Sequence, residues 1–254
     1  MESTNIKGVI FDYGGTIDSH GDHWSEIIWA GYCRYGVPVT KEQFRDCYVY
    51  AERELAKVRH ILPEHNFYDL LLIKMRIEIG NLVENKVLPD NYDIEAAALS
   101  VAKYCYDSAR NAIEDARPTL EAICQKLPMV LVSNFYGNVE TVLKDFDLRK
   151  YFKTIIESAV VGVRKPDPKI FMLGVEALGL NPEEVLVVGD SLTKDIIPAE
   201  SIGCKVAWLK GKGWTAEEDA KTHPAVIKNL AEVTKALFLY FNTKFLICGS
   251  FTFV

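Results

Sequence analysis

The chain has 254 residues, of which 49% are hydrophobic and 25% charged, a balance that excludes a disordered or collagen-like protein. At about 150 residues per domain this length suits one large domain or two modest ones, with a core that needs no covalent staples. The net charge of −6 argues against nucleic acid as the main partner, since phosphate-backbone binding rests on clustered Lys and Arg.

In chain order, the apolar run KGVIFD at 7–12, followed by Gly14 and Gly15, predicts a buried strand and a tight loop. No similar strand recurs from Ser25 to Ile113. There, Thr40 and Gln43 form a capping box ahead of a helical pattern reaching Arg59. Pro63 and Pro89 punctuate the stretch, and Tyr92 to Ile113 is again helical. Pro118 predicts a helix start, with Thr119 to Lys126 following.

Strand and helix then alternate: PMVLVS, the helix GNVETVLKDF, FKTIIES, a helix from Pro168 to Leu178 stopped by Gly179, EVLVVGD, a helix from Lys194 to Ile202, and KVAWL. Continuous apolar strands between helices imply a parallel sheet covered on both faces. The expected fold is therefore α/β, a three-layer Rossmann-like core interrupted by a helical insertion after its first strand.

Six scattered cysteines without a CxxC pair predict reduced thiols in a cytoplasmic protein. The apolar tail after Ala236 is interrupted by Asn242, Thr243 and Lys244. It falls short of the ~20 apolar residues of a membrane span, which leaves burial, homodimer contact or aggregation for its Phe and Leu residues.

Ligands of open parallel sheets gather beyond the carboxyl ends of the strands. Asp12 ends the first strand here, Ser133 and Asn134 the second, and Asp190 the fourth, with Asp195 five residues on. Lys165 follows the third. Converging on one sheet edge, these residues form a candidate site.

FDYGGTID at 11–18, VLVSN at 130–134, VRKPDP at 163–168 and VVGDSLTKD at 187–195 together resemble the four motifs of the haloacid dehalogenase-like hydrolases, in that family's order. The insertion falls where the subgroup with an α-helical cap carries its cap. The resemblance implies a core at 1–18 and 113–236, a cap at 19–112, a tail at 237–254, and strand order 5-4-1-2-3. It also implies hydrolysis of a small phosphorylated metabolite. Asp12 is then the nucleophile, forming an aspartyl-phosphate; Ser133 bonds the phosphoryl group and Lys165 neutralises it. Gly15, Thr16 and Asn134 bind substrate. Asp12, the Gly14 carbonyl, Asp190 and Asp195 hold Mg²⁺.

Electrostatics points to the same cation. Two unit charges about 4 Å apart at an effective dielectric near 20 repel by about 4 kcal/mol. Three aspartates and a phosphate dianion therefore need more than Lys165 to offset them, and Mg²⁺ favours carboxylates with phosphate oxygens.

The pattern breaks at Gly14, where the family's phosphatases place a second Asp as general acid and base. That assistance is typically worth ~10²–10⁴-fold. One reading recruits a substitute from Asp18, His20, Asp22 or His23. A second is a phosphonate-cleaving enzyme with an imine-forming lysine, Lys41 or Lys57, or a dehalogenase, against which GDSLTKD counts. A third is a phosphate-binding or regulatory protein without efficient turnover. Trp24, Trp29, Tyr32 and Tyr35 fit core better than a cofactor box, and Gly211 and Gly213 fit a turn after the fifth strand.

Overall fold

A computed structural model describes residues 6–235 and Leu237. The tail beyond it, with the dimer expectation attached to it, lies outside the described residues, as does Cys248. Strand β1 (Gly8–Phe11) is followed by four helices, α1 (Trp24–Arg34), α2 (Lys41–Lys57), α3 (Phe67–Glu84) and α4 (Ile94–Cys124). Then β2 (Met129–Ser133), α5 (Val139–Asp145), β3 (Thr154–Glu157), α6 (Ser158–Val161), α7 (Lys169–Leu178) and β4 (Val185–Gly189) alternate. A wide π-type turn at Leu192–Ile196 leads into α8 (Ile197–Ser201), β5 (Lys205–Leu209), α9 (Ala216–Ala220) and β6 (Val226–Ile227).

The described strands form one parallel sheet in the order β3-β2-β1-β4-β5-β6. This is the order expected from the sequence, extended by the short β6 at the edge beyond β5. Strands β1, β2 and β4 are buried along their whole length, as befits a sheet covered on both faces.

Alternation sorts their side chains. Ile10, Val130, Val132, Val185 and Val187 pack with Ile170, Phe171 and Val175 of α7. Val9, Phe11, Leu131 and Val188 turn the other way, into a core that includes Leu120 and Ile123 of α4 and Val142 of α5. That second core runs on into the helical region, through Phe44, Leu71, Met75 and Ile79, so the helices after β1 and the sheet share apolar packing.

Local chemistry explains the helix ends. Thr40 and Gln43 make the expected capping box on α2, and Asn66 with Asp69 makes another on α3. Gly179 ends α7 at φ 72°.

Pro118 overturns one expectation. It does not start a helix but lies inside α4, a single helix of 31 residues running through the stretch where a break is expected. Its ring sits on an exposed face, where water can serve the carbonyl left unpaired one turn earlier. Ala116, Leu120 and Ile123 beside it are buried against the core. The helix expected from Lys194 to Ile202 also differs, becoming the π-type turn and the short α8. No helix among the described residues is long and apolar enough to cross a membrane.

Candidate active site

Strand β1 lies between β2 and β4, so chain direction diverges on either side of it and a crevice opens at its carboxyl end. Asp12 sits there, the residue after β1, and Asp190 holds the corresponding place after β4. The π-type turn swings Asp195 back to join them. Carboxylate oxygens of Asp12, Asp190 and Asp195 lie within 4.8 Å of one another.

Lys165 sits among them with its side chain only 3% exposed, its Nζ 2.7 Å from Asp12 Oδ1 and 2.6 Å from Asp195 Oδ1. Burial alone would lower the Lys165 pKa, but Asp12 and Asp195 more than reverse this and raise it. Asp190 and Asp195 titrate above the usual carboxylate range, first because burial disfavours their charge and then because neighbouring carboxylates repel. Three carboxylates against one ammonium leave an excess of negative charge on hard oxygen donors, a set that fits a divalent cation such as Mg²⁺.

Glycines make this convergence sterically feasible. A Cβ on Gly189 would fall 2.4 Å from the Asp195 Cβ, and one on Gly15 2.4 Å from the Asp190 carboxylate. Gly15 also has φ +98°, a left-handed conformation that side chains rarely adopt. Gly14 is different, with open space where its side chain would be.

Asp12, Gly14, Gly15, Ser133, Asn134, Lys165, Asp190 and Asp195 all line one cavity of about 1150 Å³. Thr16 does not. It is fully buried, and its hydroxyl donates to Asp190 Oδ1 at 3.1 Å, holding a carboxylate rather than facing the cavity. Asn134 spends its side chain on Lys165, donating from Nδ2 to the backbone carbonyl at 3.0 Å and accepting the backbone N–H at 2.9 Å. The Gly15 N–H donates to Asp18 Oδ1 at 2.7 Å. Thr16 and Asn134 thus hold neighbouring site residues through their side chains.

The four candidates for the missing acid separate clearly. His20 is exposed and pairs with Asp115, and Asp22 accepts the Lys212 backbone N–H. His23 lines the cavity but caps α1, its Nδ1 accepting the Ser25 N–H. Burial, then Lys194 and Lys74, push its pKa down to about 4, so its ring is neutral at physiological pH. Asp18 also lines the cavity. Burial raises its pKa to about 8 despite hydrogen bonds from the Gly15 amide and Trp24, so near neutrality it carries a proton.

Lys41 is held by Glu26 at 2.6 Å, while Lys57 lines the cavity at the end of α2. Of the aromatics, Tyr32 is core, Tyr35 is exposed, Trp29 packs on Phe44 and Trp24 reaches the cavity. Gly211 and Gly213 lie in a loop after β5, as expected.

Glu157 is a contributor absent from the set expected from the sequence. It ends β3, and its carboxylate accepts the Gly137 N–H at 2.5 Å, anchoring the loop that leads from Ser133 to α5. An acid at a strand end was the available signal. Glu52 and Lys74 also line the cavity, but in sequence they read as ordinary residues of amphipathic helices.

Carboxylates converging beyond the ends of parallel strands, tied by a buried lysine and facing a deep cavity, define a hydrolase-type α/β site. The chain belongs to the haloacid dehalogenase-like hydrolases, which residues 6–203 match. It is 39% identical over 71 residues to glyceraldehyde 3-phosphate phosphatase of Pyrococcus furiosus, covering 28% of this chain and 29% of that enzyme. Thus the chain spans less than a third of that relative's length. It is 26% identical over 183 residues to the pyrimidine 5'-nucleotidase YjjG of Escherichia coli K12, covering 69% of this chain and 74% of that one. Among solved structures, the magnesium-bound hydrolase YfnB of Bacillus subtilis aligns over 92% of this chain and 99% of its own, with TM-score 0.58 and 18% identity, a likeness of fold.

Proposed function

We infer that this protein is a Mg²⁺-dependent phosphatase of a small phosphorylated metabolite. The observation that carries this reading is the meeting of Asp12, Asp190 and Asp195 within 4.8 Å around a lysine that holds two of them. Its phosphatase relatives support the reaction class. Helices α1 to α3 and the first part of α4, at 19–112, act as a cap that shields the cavity from water.

The chemistry follows from the residues. Asp12 attacks phosphorus, a P–O bond forms to its carboxylate, and the ester P–O bond breaks as the leaving oxygen takes up a proton and departs as the alcohol. Lys165 holds Asp12 in place and offsets charge on the phosphoryl oxygens. Ser133, at the end of β2, offers its hydroxyl to the same group. Water then attacks the aspartyl-phosphate, releasing inorganic phosphate and restoring Asp12. Asp12, Asp190, Asp195 and the Gly14 carbonyl would hold Mg²⁺, which supplies Lewis-acid stabilisation of the phosphoryl oxygens when bound. With glycine at position 14, Asp18 is the neighbouring group on the cavity wall that holds an acidic proton near neutral pH.

The test is hydrolysis of p-nitrophenyl phosphate and a panel of alkyl phosphates, with and without Mg²⁺. The expected result is Mg²⁺-dependent phosphate release that falls more than ~10³-fold in Asp12→Asn. Absence of release from every ester, the activated aryl ester included, would overturn the reading.

A further inference from the structure

Away from the aspartates, the cavity wall carries a second polar group. Lys74, on α3, has a side chain only 5% exposed and forms an ion pair with Glu52 of α2. Its Nζ lies 4.2 Å from the centre of the Tyr48 ring. Glu52 also accepts from the Tyr136 hydroxyl, 3.3 Å from each carboxylate oxygen. Tyr136 belongs to the loop after β2, two residues beyond Asn134, so the cluster joins two helices to the rim of the sheet. All four side chains line the cavity that holds Asp12.

Donor and acceptor accounting shows what this wall can offer. An ammonium has three N–H donors; one serves Glu52, and the ring of Tyr48 covers part of the rest. Glu52 Oε2 accepts only the long Tyr136 contact, and its side chain remains 38% exposed. Burial alone would lower the Lys74 pKa, but Glu52 raises it well above the ordinary lysine value, and Lys74 in turn holds Glu52 below the usual range despite burial. Both groups are therefore ionised throughout the ordinary pH range. Lys74 is not the neutral amine that imine formation needs. It is half of a charge-balanced pair with one donor and one acceptor to spare.

We propose that Lys74, Glu52 and Tyr136 form the subsite for the leaving group, and that it takes an uncharged end bearing adjacent hydroxyls, as in a phosphorylated polyol. A carboxylate or second phosphate beside Lys74 also meets Glu52, and an amine beside Glu52 also meets Lys74, so the balanced pair gives a charge of either sign no net attraction to offset its loss of hydration. A diol gives Lys74 an oxygen acceptor and Glu52 an O–H donor. A substrate without those hydroxyls leaves desolvated polar groups unmatched, which is how such sites discriminate strongly. The rings of Tyr48 and Trp214 pack on each other, tilted by 35° with centroids 5.3 Å apart, and both border the cavity, giving this wall an apolar margin. The proposal rests on the phosphatase reading for the placement of the phosphoryl group at Asp12.

The experiment compares four Mg²⁺-supported substrates with the phosphate on a three-carbon chain: glycerol 3-phosphate, propyl phosphate, 3-aminopropyl phosphate and the phosphate of 3-hydroxypropanoate. The readout is the ratio of kcat/KM for the glycerol ester to that for each other ester, measured within one protein so that a general loss of activity cancels. Wild type is expected to favour the glycerol ester at least tenfold over each. In Lys74→Met and Glu52→Gln the preference over propyl phosphate is expected to fall at least tenfold. In Tyr136→Phe, which removes one hydroxyl and no charge, it falls at least threefold, and this variant decides the matter if circular dichroism shows the others unfolded.

A parallel arm measures calorimetric binding of the same four esters to Asp12→Asn. If no ester is hydrolysed but the glycerol ester still binds tightest, and adding Lys74→Met removes that preference, the phosphatase reading fails and the subsite stands. If esters are hydrolysed but the ratios do not move in any variant, or the carboxylate or amine ester is preferred, the subsite proposal is overturned.

Discussion

At position 14 the chain carries glycine where the phosphatases it resembles place an aspartate. The space beyond Gly14 is open, and its backbone is not in the left-handed region, so an aspartate there meets no obstacle. Gly14→Asp is expected to raise turnover of alkyl phosphates about 10²-fold, because a positioned acid contributes at least that much when the leaving group is a poor one. The gain should be smaller for p-nitrophenyl phosphate, whose leaving oxygen needs little protonation. Equal kcat values for Gly14→Asp and wild type on alkyl esters would mean that another group, Asp18 first among them, already delivers the proton. Gly15 is the opposite case. An alanine there would strain the φ of +98° and drive a methyl into Asp190, so Gly15→Ala should lower kcat/KM at least 10²-fold and weaken Mg²⁺ binding, as read by titration of activity against Mg²⁺. Much of this site can be read from sequence because acids at strand ends mark themselves: Asp12, Asp190 and Asp195 lie together as their strand positions imply. The hydrogen bonds of Thr16 to Asp190 and of Asn134 to Lys165 are not legible in the sequence, because partners 174 and 31 residues away leave no local pattern.

Periodicity made most elements legible, since a buried parallel strand and an amphipathic helix bury residues at different intervals. What escaped is what tertiary packing decides against local preference. Pro118 looks like a helix start, yet burial of Ala116, Leu120 and Ile123 carries α4 straight through it. At about 1.5 Å per residue this helix spans roughly 46 Å, joining the helical region to the sheet as one rod. Arg117 braces it further by donating to the Phe146 carbonyl at 3.0 Å, at the end of α5. The proline inside it lacks an N–H and crowds the preceding turn. Pro118→Ala is therefore expected to stabilise the protein by about 1–2 kcal/mol, after allowance for the greater freedom of the unfolded chain. Urea unfolding followed by circular dichroism measures it. A loss of stability would mean that the ring makes packing contacts worth more than the turn it disrupts.

Across the whole molecule, charge burial couples stability to pH and to the cation. Asp190 and Asp195 titrate above their unfolded values, chiefly through burial. Glu78, buried in the helical region beside Tyr32, is pushed up to about 8 by burial, although Lys74 and the Tyr32 hydroxyl oppose the shift. In each case the native state holds a proton that the unfolded state has released, so this stability is fully present below the ordinary carboxylate range and is lost as pH rises through the native pKa. The metal-free protein should therefore lose Tm between about pH 5 and pH 8. On the proposed reading Mg²⁺ acts in the reverse direction, because it would bind the ionised aspartates of the native state alone. At a hundredfold excess over Kd it contributes about 2.7 kcal/mol, or roughly 5–10 °C in Tm for a chain of this size. Protons compete for the same oxygens, so the Mg²⁺-induced rise at pH 8 should be at least twice that at pH 5. Two variants divide the effect. Asp190→Asn should abolish the rise caused by Mg²⁺, while Glu78→Gln should flatten the metal-free pH dependence and leave that rise in place. A thermal shift that is equal at both pH values, or that survives in Asp190→Asn, would put the cation somewhere other than among these three aspartates.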